Sequence, residues 1–296
     1  ENPFMYDIVM SPDFDTDQII YGLQQFSVLR SDDGGDHWIA NEIDPGEKLY
    51  PTKLAISHDF TNDQTLYVGT RYHGLYRSID GGITWLKIKS DTETIRSVQL
   101  SPNFAVDQTM LISADATGTF LSTDGGDTWV SSNDGLTSTT SNQIVLSPFF
   151  DTDNQAIAST YNGLFRSYDG GVTWAKASSD PLVFDTLIDS AIMSPNYNID
   201  STMYVSIRGV GLAKSIDDAQ SWSLVGNEII DSQEQVRLMR SVAVSPTDYH
   251  LYVTTDTQIY VSEDYALSWT RVNRDIVRYE NYNQSIYYSG KWQTIN

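Results

Sequence analysis

The chain has 296 residues, no cysteine and a formal net charge of −21. This charge argues against nucleic acid as a partner, because such proteins need a basic surface against the phosphate backbone, and the lack of cysteine excludes disulfides and thiolate catalysis. No apolar run approaches the ~20 residues of a membrane-spanning helix, so we expect a protein that does not span a membrane. Because the chain begins at Glu1 without a signal peptide, we expect a mature or trimmed product.

Short apolar runs separated by polar turns predict β-strands in chain order. In one period, an apolar run at 54–56 precedes the polar stretch SHDFTND (57–63), and a second run follows at 66–68. A third run at 74–78 leads into the octapeptide SIDGGITW (78–85), and Trp85 opens a fourth. Runs bounded in this way by Pro, Asn and Asp turns indicate four short antiparallel strands.

Both polar stretches recur along the chain. The octapeptide returns as SDDGGDHW (31–38), SIDGGITW (78–85), STDGGDTW (122–129), SYDGGVTW (167–174), SIDDAQSW (215–222) and SEDYALSW (262–269). The earlier stretch returns as SPDFDTD (11–17), SHDFTND (57–63), SPNFAVD (101–107), SPFFDTD (147–153), SPNYNID (194–200) and a shortened SPTDY (245–249). Four strands in each period of about 45 residues predict the blades of an all-β propeller.

Six copies of the octapeptide favour a structural role, since an enzyme needs one active site. Its glycines suit positive φ, and its Ser and Asp side chains suit bonds to backbone amides. Its Trp suits burial between neighbouring sheets. The residues assigned to this role are Asp33, Trp38, Asp80, Trp85, Asp124, Trp129, Asp169, Trp174, Asp217, Trp222, Asp264 and Trp269. By strand order both polar stretches lie at one end of each sheet, which we expect to be acidic.

The pattern S-x-D-x-G-x-T-W resembles the Asp-box, or bacterial neuraminidase repeat, over residues 5–275. Proteins with this repeat include sialidases, xyloglucanases, sortilin-type receptor ectodomains and photosystem II assembly factors, so the resemblance implies a β-propeller and says little about function. His37 replaces Thr in the first box, Ala219 and Ala266 replace the second glycine in the last two, and Ser221 and Ser268 replace Thr there. We expect such boxes to be looser turns.

The repeats predict a single propeller domain over 1–296 with six recognisable four-stranded blades. The seventh tryptophan, Trp292, lies in a segment that resembles a third and fourth strand without the box. Residues 276–296 therefore form either a partial seventh blade or a closing hairpin.

The sequence predicts no cofactor, with one alternative left open. The stretch DFDTD (13–17) resembles the start of a calcium loop, but Gln18 and Gln24 stand where an EF-hand needs Gly and Glu. We interpret these acids as turn residues and leave a weak calcium site as the alternative. No two of the four histidines lie at zinc-ligand spacing.

Catalysis has less support than binding. The resemblance to sialidases implies three arginines, a Tyr–Glu pair, an acid/base Asp and an early Arg-Ile-Pro segment, yet no Arg-x-Pro occurs. Xyloglucanases of this kind join two propellers around a cleft, and this chain has repeats for one. A glycoside hydrolase using the end opposite the boxes remains the alternative to a non-catalytic protein- or glycan-binding scaffold.

The candidate binding site lies in the loops that do not repeat, at the end of the sheets opposite the boxes, because variable loops on a rigid scaffold usually carry binding. The candidate ligand-binding residues are Arg71, Tyr72, His73, Arg96, Tyr161, Arg208, Arg237 and Arg240. Arg and Tyr favour a protein assembly or a glycan at the cell surface as partner. Alternatively, some of these arginines pair with loop carboxylates such as Glu93 or Asp189. The acidic composition suits an extracellular, cell-surface or periplasmic protein.

Overall fold

The structure, a computed structural model, describes residues 5–90, 93–226, 229, 239–245, 248–255, 258–272, 286–288 and 291–293. Within these ranges the chain forms six four-stranded antiparallel sheets, each with its strands in chain order. The prediction of six four-stranded units in an all-β chain is confirmed.

Each sheet takes one period of the sequence. The first has β1 (Met5–Met10), β2 (Ile20–Gln24), β3 (Ser27–Ser31) and β4 (Ile39–Glu42). The second has β5 (Pro51–Ile56), β6 (Leu66–Thr70), β7 (Leu75–Ser78) and β8 (Leu86–Lys89). The third has β9 (Ile95–Leu100), β10 (Met110–Ala114), β11 (Gly118–Ser122) and β12 (Val130–Ser131).

The other three sheets follow the same plan. The fourth has β13 (Ser141–Leu146), β14 (Ala156–Thr160), β15 (Gly163–Ser167) and β16 (Ala175–Lys176). The fifth has β17 (Ile188–Met193), β18 (Met203–Ile207), β19 (Gly211–Ser215) and β20 (Ser223–Val225). The sixth has β21 (Met239–Val244), β22 (Leu251–Thr255), β23 (Ile259–Ser262) and β24 (Thr270–Arg271).

Burial falls from the second strand of a sheet to the fourth. The strands β6, β10, β14 and β18 are buried at every residue, whereas β4 and β12 are mostly exposed. The second strands are short continuous apolar runs, the pattern of a strand covered on both faces. The fourth strands are therefore the outer edges of their sheets.

By contacts the chain divides into two compact units, one of Glu1–Ala116, Leu121–Val130 and Val277–Asn296, the other of Thr117–Phe120 and Ser131–Ile276. In the first unit, a core cluster includes Tyr21, Phe60 and Leu66. In the second unit, one cluster surrounds Met203 and another surrounds Val253.

The SPxFxxD stretch folds as one helical turn, where the sequence predicted a plain turn. These turns are α1 (Phe14–Asp17), α2 (Phe60–Asp63), α3 (Phe104–Asp107), α4 (Phe150–Asp153) and α5 (Tyr197–Asp200). In α2, the Ser57 hydroxyl donates to the Asp63 carboxylate (2.5 Å), which also accepts from the Thr65 amide (2.8 Å). The Asp at the end of the helix thus accepts from the backbone amide two residues further on, the turn role expected of it.

The octapeptide is the turn between the third and fourth strands. In the second sheet, Asp80 accepts from the Thr84 amide (2.9 Å) and hydroxyl (2.5 Å), and the Ser78 hydroxyl oxygen accepts from the Gly82 amide (2.8 Å). The Gly81 amide donates to the Gln64 carbonyl at the end of α2 (3.0 Å). Both polar stretches therefore meet at one end of the sheet, as strand order predicted, and we call this the box end.

The expectation of looser turns in the last two boxes is wrong. Ala219 and Ala266 keep the positive φ of the glycines they replace, at 65° and 73°. Their amides still donate to Ser215 and Ser262, at 3.0 and 2.9 Å. In the first box His37 binds Asp33 through Nδ1 at 2.6 Å, taking the place of the threonine hydroxyl. The side-chain bonds of the box hold its geometry even where glycine is absent.

The box tryptophans are less uniformly buried than the sequence suggested. Trp174 and Trp222 are buried, with 4% and 8% of their surface exposed. The other four are half-buried: Trp38, Trp85, Trp129 and Trp269. Each immediately precedes the fourth strand of its sheet, and Trp85 and Trp269 pack against core clusters with part of the ring exposed.

The C-terminal segment contributes a two-stranded hairpin of β25 (Ile286–Tyr288) and β26 (Lys291–Gln293). In the described residues these strands pair only with each other. Trp292 lies in β26, opposite Tyr287.

Candidate functional site

The end of each sheet opposite the boxes, here called the loop end, consists of the hairpin between the second and third strands and the connection into the first strand. Backbone hydrogen bonds join the two parts. The Arg71 amide donates to the Tyr50 carbonyl (2.8 Å), the Asp115 amide to Thr94 (2.9 Å) and the Arg208 amide to Leu187 (3.0 Å). The loop end is therefore a bonded surface within each sheet.

In the first unit, Arg71, Tyr72 and His73 form the tip of the β6–β7 hairpin. Tyr72 is 61% exposed, Arg71 is exposed and His73 is half-buried. Tyr72 has a φ of 66°, a backbone conformation that favours glycine or asparagine. Its amide donates to the Glu93 carbonyl (3.3 Å), which holds the tip against the connection from the second sheet to the third.

Two aromatic rings that the sequence analysis missed stand beside this hairpin. Phe26 lies at the tip of the β2–β3 hairpin with a φ of 74°, and its ring packs edge-to-face on Tyr50, with centroids 4.9 Å apart. The Lys48 ammonium lies 5.7 Å from the Phe26 ring centroid, within cation–π range. The sequence could have indicated these rings, because the bulky Phe26 stands at a hairpin position that usually takes Gly or Asn.

Arg96 is not a free cation. Its guanidinium makes a two-pronged ion pair with Asp115, one prong of which, Nη2 to Oδ2, measures 3.0 Å. The alternative that loop arginines pair with loop carboxylates thus holds here, although the partner is Asp115 rather than Glu93. Arg96 stiffens the loop end of the third sheet.

In the second unit, Tyr161 and Arg208 come together. The Arg208 guanidinium contacts both carboxylate oxygens of Asp189 (3.0 and 3.1 Å from Nε). These hydrogen bonds raise the pKa of Arg208, and the Tyr161 phenol lies close enough to contribute. Tyr161 is 40% exposed. The alternative that loop arginines pair with loop carboxylates therefore holds here too, with Asp189 as the partner.

The two remaining candidates cannot be placed. Arg237 lies outside the described residues, and Arg240 lies in β21 but its side chain is outside what the structure describes.

The box end carries many carboxylates, but those of the turns are engaged by the turns themselves. Asp17 accepts from the Ser11 hydroxyl (2.5 Å) and the Ile19 amide (2.9 Å). The hydroxyl and amide of Thr128 hold the pKa of Asp124 at about 2, and those of Ser268 do the same for Asp264. In the described part of the chain, no group of three or more His, Asp or Glu side chains is placed to hold a metal ion. A calcium site stays a prediction.

A cavity of about 200 Å³ lies at the box end of the first unit, between α2 and α3. Its lining includes Asp63, Tyr67, Arg77 and Phe104. The polar groups here bind one another across the sheets: the Tyr67 hydroxyl (2.7 Å) and Arg77 (3.0 Å) both donate to the Gly125 carbonyl. Burial raises the pKa of Tyr67 to about 12. This arrangement fastens one sheet to the next.

Among the described residues, no helix is long and apolar enough to cross a membrane.

Comparison with solved structures, and not with sequences, identifies the fold. No family model matches the sequence, and no curated protein matches it. A GH74 xyloglucanase from Xanthomonas campestris is similar in structure, with a TM-score of 0.68, 17% identity and coverage of 89% of this chain and 45% of that one. The chain spans less than half the length of the GH74 structures it matches.

Two further structural neighbours are a peptide-bound protein and an extracellular domain. YCF48 bound to D1 peptide has a TM-score of 0.68 and 11% identity, with 98% of this chain and 88% of that one covered. An extracellular domain from B. thetaiotaomicron has a TM-score of 0.67 and 16% identity, with 93% and 34% covered. At these identities the likeness establishes the fold alone. The protein has the fold of a six-bladed β-propeller.

Proposed function

We propose that the protein is a non-catalytic binding module, exported or displayed at the cell surface, that holds a protein assembly or a glycan through the loop end of its sheets. The observation that carries the proposal is the exposure of Arg71, Tyr72 and Tyr161 at hairpin tips. Aromatic and arginine side chains on a rigid scaffold are those most often found at binding hot spots.

Two loop-end carboxylates are held by arginine, which favours binding over hydrolysis. Asp115 and Asp189 each hold an arginine in a two-pronged pair. A glycoside hydrolase needs one carboxyl group free to donate a proton and a second facing the sugar across the scissile bond. Carboxylates engaged by arginine serve neither role well. A xyloglucanase and a peptide-bound protein both share the fold. The choice between hydrolysis and binding must therefore rest on the side chains at the loop end.

The test compares the two ends of the sheets. A loop-end variant carries Arg71→Ala together with Tyr161→Ala. It should bind the protein or glycan ligand of the unmodified protein about tenfold more weakly, as expected for the loss of a hot-spot side chain. A box-end variant, Ile83→Ala with Lys87→Ala, removes an apolar and a cationic side chain, both exposed, and should bind like the parent. Arg208 is left in place because the Asp189 side chain is only 10% exposed and would lose its partner.

Loss of binding in the box-end variant alone would contradict the proposal. A panel of fluorogenic glycosides tests the alternative activity. If the protein hydrolyses one of these glycosides, and the activity disappears when a loop-end carboxylate is substituted, the protein is a glycoside hydrolase and the binding-module proposal is wrong.

A further inference from the structure

A cluster of aromatic and cationic side chains lies at the loop end of the first two sheets. It consists of Phe26, Lys48, Tyr50, Arg71 and Tyr72, here called the aromatic patch. Phe26 packs on Tyr50 and carries Lys48 over its ring, while the Arg71 backbone is bonded to Tyr50. Three aromatic and two cationic residues thus lie together at the loop end of a single compact unit.

The β6–β7 hairpin holds an aromatic residue where the backbone favours glycine. In the β6–β7 hairpin the Thr70 amide donates to the Gly74 carbonyl (3.0 Å), which leaves a three-residue tip like those of the β10–β11 and β18–β19 hairpins. Tyr72, Ala116 and Gly209 therefore occupy the same middle position, with φ values of 66°, 61° and 75°. Glycine adopts this conformation without steric cost, whereas a bulky side chain does not. Tyr72 is the bulkiest of the three, is 61% exposed and fills no core. Because this ring does not fill the core, its place at a position that favours glycine points to a role at the surface.

The size of the patch favours a small ligand over a large protein interface. Tyr72 and Tyr50 are 61% and 44% exposed, which leaves about 200 Å² of ring surface on the scale of a fully buried aromatic side chain. A stable protein partner covers about 800 Å². The adjacent connection carries the acidic residues Asp44 and Glu47, so the apolar area does not extend that way. Two or three sugar rings match this extent.

The charges narrow the ligand further. Arg71 is exposed, and no carboxylate contacts its side chain in the part of the chain that the structure describes. A guanidinium recognises a carboxylate in two-pronged fashion. Because the protein carries a net charge of −21, binding of an anionic ligand must rest on close contacts such as one at Arg71, and long-range attraction cannot supply it.

We propose that the aromatic patch binds uronic-acid units of an acidic polysaccharide. The apolar C–H face of a sugar ring would pack on Tyr72 or Tyr50, and its carboxylate would lie against Arg71, with Lys48 beside it. This proposal rests on the proposed loop-end binding function and assigns it a ligand class and a place.

The probe is polygalacturonate, and the matched comparison is polygalacturonate whose carboxyl groups are methyl-esterified. Affinity of the full chain is measured by titration calorimetry at roughly 50 mM and 300 mM NaCl. The parent should bind the free acid at least about tenfold more tightly than the ester. Tyr72→Asn should weaken binding about tenfold, because it removes the ring and leaves a residue that tolerates positive φ. Arg71→Gln should weaken binding to the free acid and reduce its salt dependence.

The matched control is Ala116→Asn, which makes the same residue at the same hairpin position one sheet further along. It should bind within about twofold of the parent. The inference is overturned if the parent binds neither polymer, if it binds both equally, or if Ala116→Asn weakens binding as much as Tyr72→Asn.

Failure of this inference can be told apart from failure of the proposed function. If Tyr72→Asn has no effect but Tyr161→Ala releases a glycan or protein, the patch assignment is wrong and loop-end binding stands. If Tyr72→Asn releases a protein ligand while polygalacturonate does not bind, the glycan class is wrong.

Discussion

Arg30 donates a hydrogen bond to the carbonyl oxygen of Gly81, which lies in the box of the following sheet, at 3.1 Å. The Tyr21 hydroxyl donates to the same oxygen at 2.7 Å. Tyr21 and Arg30 are paired across β2 and β3, so two strands of one sheet donate hydrogen bonds to one turn of the next sheet. Tyr67 and Arg77 repeat the arrangement on Gly125. The box is thus both a turn and an attachment point.

Removing one of these buried hydroxyls should weaken the attachment. We expect Tyr67→Phe to lower the free energy of unfolding by about 1 to 2 kcal/mol, because the Gly125 carbonyl loses a partner in a buried position. Urea unfolding followed by tryptophan fluorescence measures this. Tyr72→Phe, at an exposed tip, should change stability by less than about 0.5 kcal/mol. Equal stability of Tyr67→Phe and the parent would mean that the hydrogen bond contributes nothing.

The fifth box attaches to its neighbour through a side chain instead. Asp218 occupies the first glycine position of the box, with a φ of 62°, and binds Arg166 (2.5 Å), whose side chain is 3% exposed. Asp218→Gly restores the usual residue and relieves the backbone, yet it leaves Arg166 buried without its counter-ion. We expect a net loss of about 2 to 3 kcal/mol in urea unfolding.

The double variant Arg166→Leu, Asp218→Gly provides the control. It places at these two positions the residues that the sequence has one period earlier, where Leu121 precedes the third box and Gly170 stands in the fourth. It should recover at least half of the loss, since the buried charge is gone. If the loss of unfolding free energy in the double variant equals the sum of the losses in Arg166→Leu and Asp218→Gly, Arg166 and Asp218 are not coupled.

The tryptophans should differ in their contribution to stability. Trp222→Ala should cost about 3 to 5 kcal/mol, because the ring is buried and its removal leaves a cavity. Trp129→Ala should cost about half as much, since that ring is half-buried at the sheet edge. Thermal unfolding of the two variants side by side checks the order. A larger effect at Trp129 would contradict the burial argument.

The boxes should make stability depend on pH in the acid range. Hydrogen bonds from the Thr128 hydroxyl and amide hold the pKa of Asp124 at about 2, and those from Ser221 hold Asp217 at a similar value. An unfolded aspartate has a pKa of about 3.9. Because the folded pKa is the lower one, the stabilisation is fully present above about pH 4 and is lost as the pH falls towards about 2.

Melting temperatures measured from pH 5 to 2 should therefore fall steadily, at a constant ionic strength. Asp124→Asn should lower the melting temperature at pH 7 and make the acid-range decline shallower, because one of the titrating groups is gone. A decline of the same steepness in Asp124→Asn would show that other carboxylates cause the loss.

The repeat spacing predicted both the strands and their order. Six octapeptides and six apolar second strands were enough to predict the strand order. A turn of fixed length between two apolar runs leaves few other ways for those runs to pair as strands. The joining of the two polar stretches at one end of each sheet followed from strand order alone, as the Gly81–Gln64 bond illustrates. The single-turn helices were not predicted, since four residues are too few for a helical period.

The sequence by itself determined the fold class, the box turns and which loops are variable, because these depend on local patterns that repeat. Only the tertiary structure decided which side chains meet. It paired Arg96 with Asp115 and Arg208 with Asp189, which removes two candidate cations from simple ligand binding. It also brought Phe26, Lys48 and Tyr50 beside Arg71 and Tyr72, from three segments that lie more than 20 positions apart along the chain. Such contacts depend on how neighbouring sheets pack, and packing distances are not encoded in any one period of the sequence.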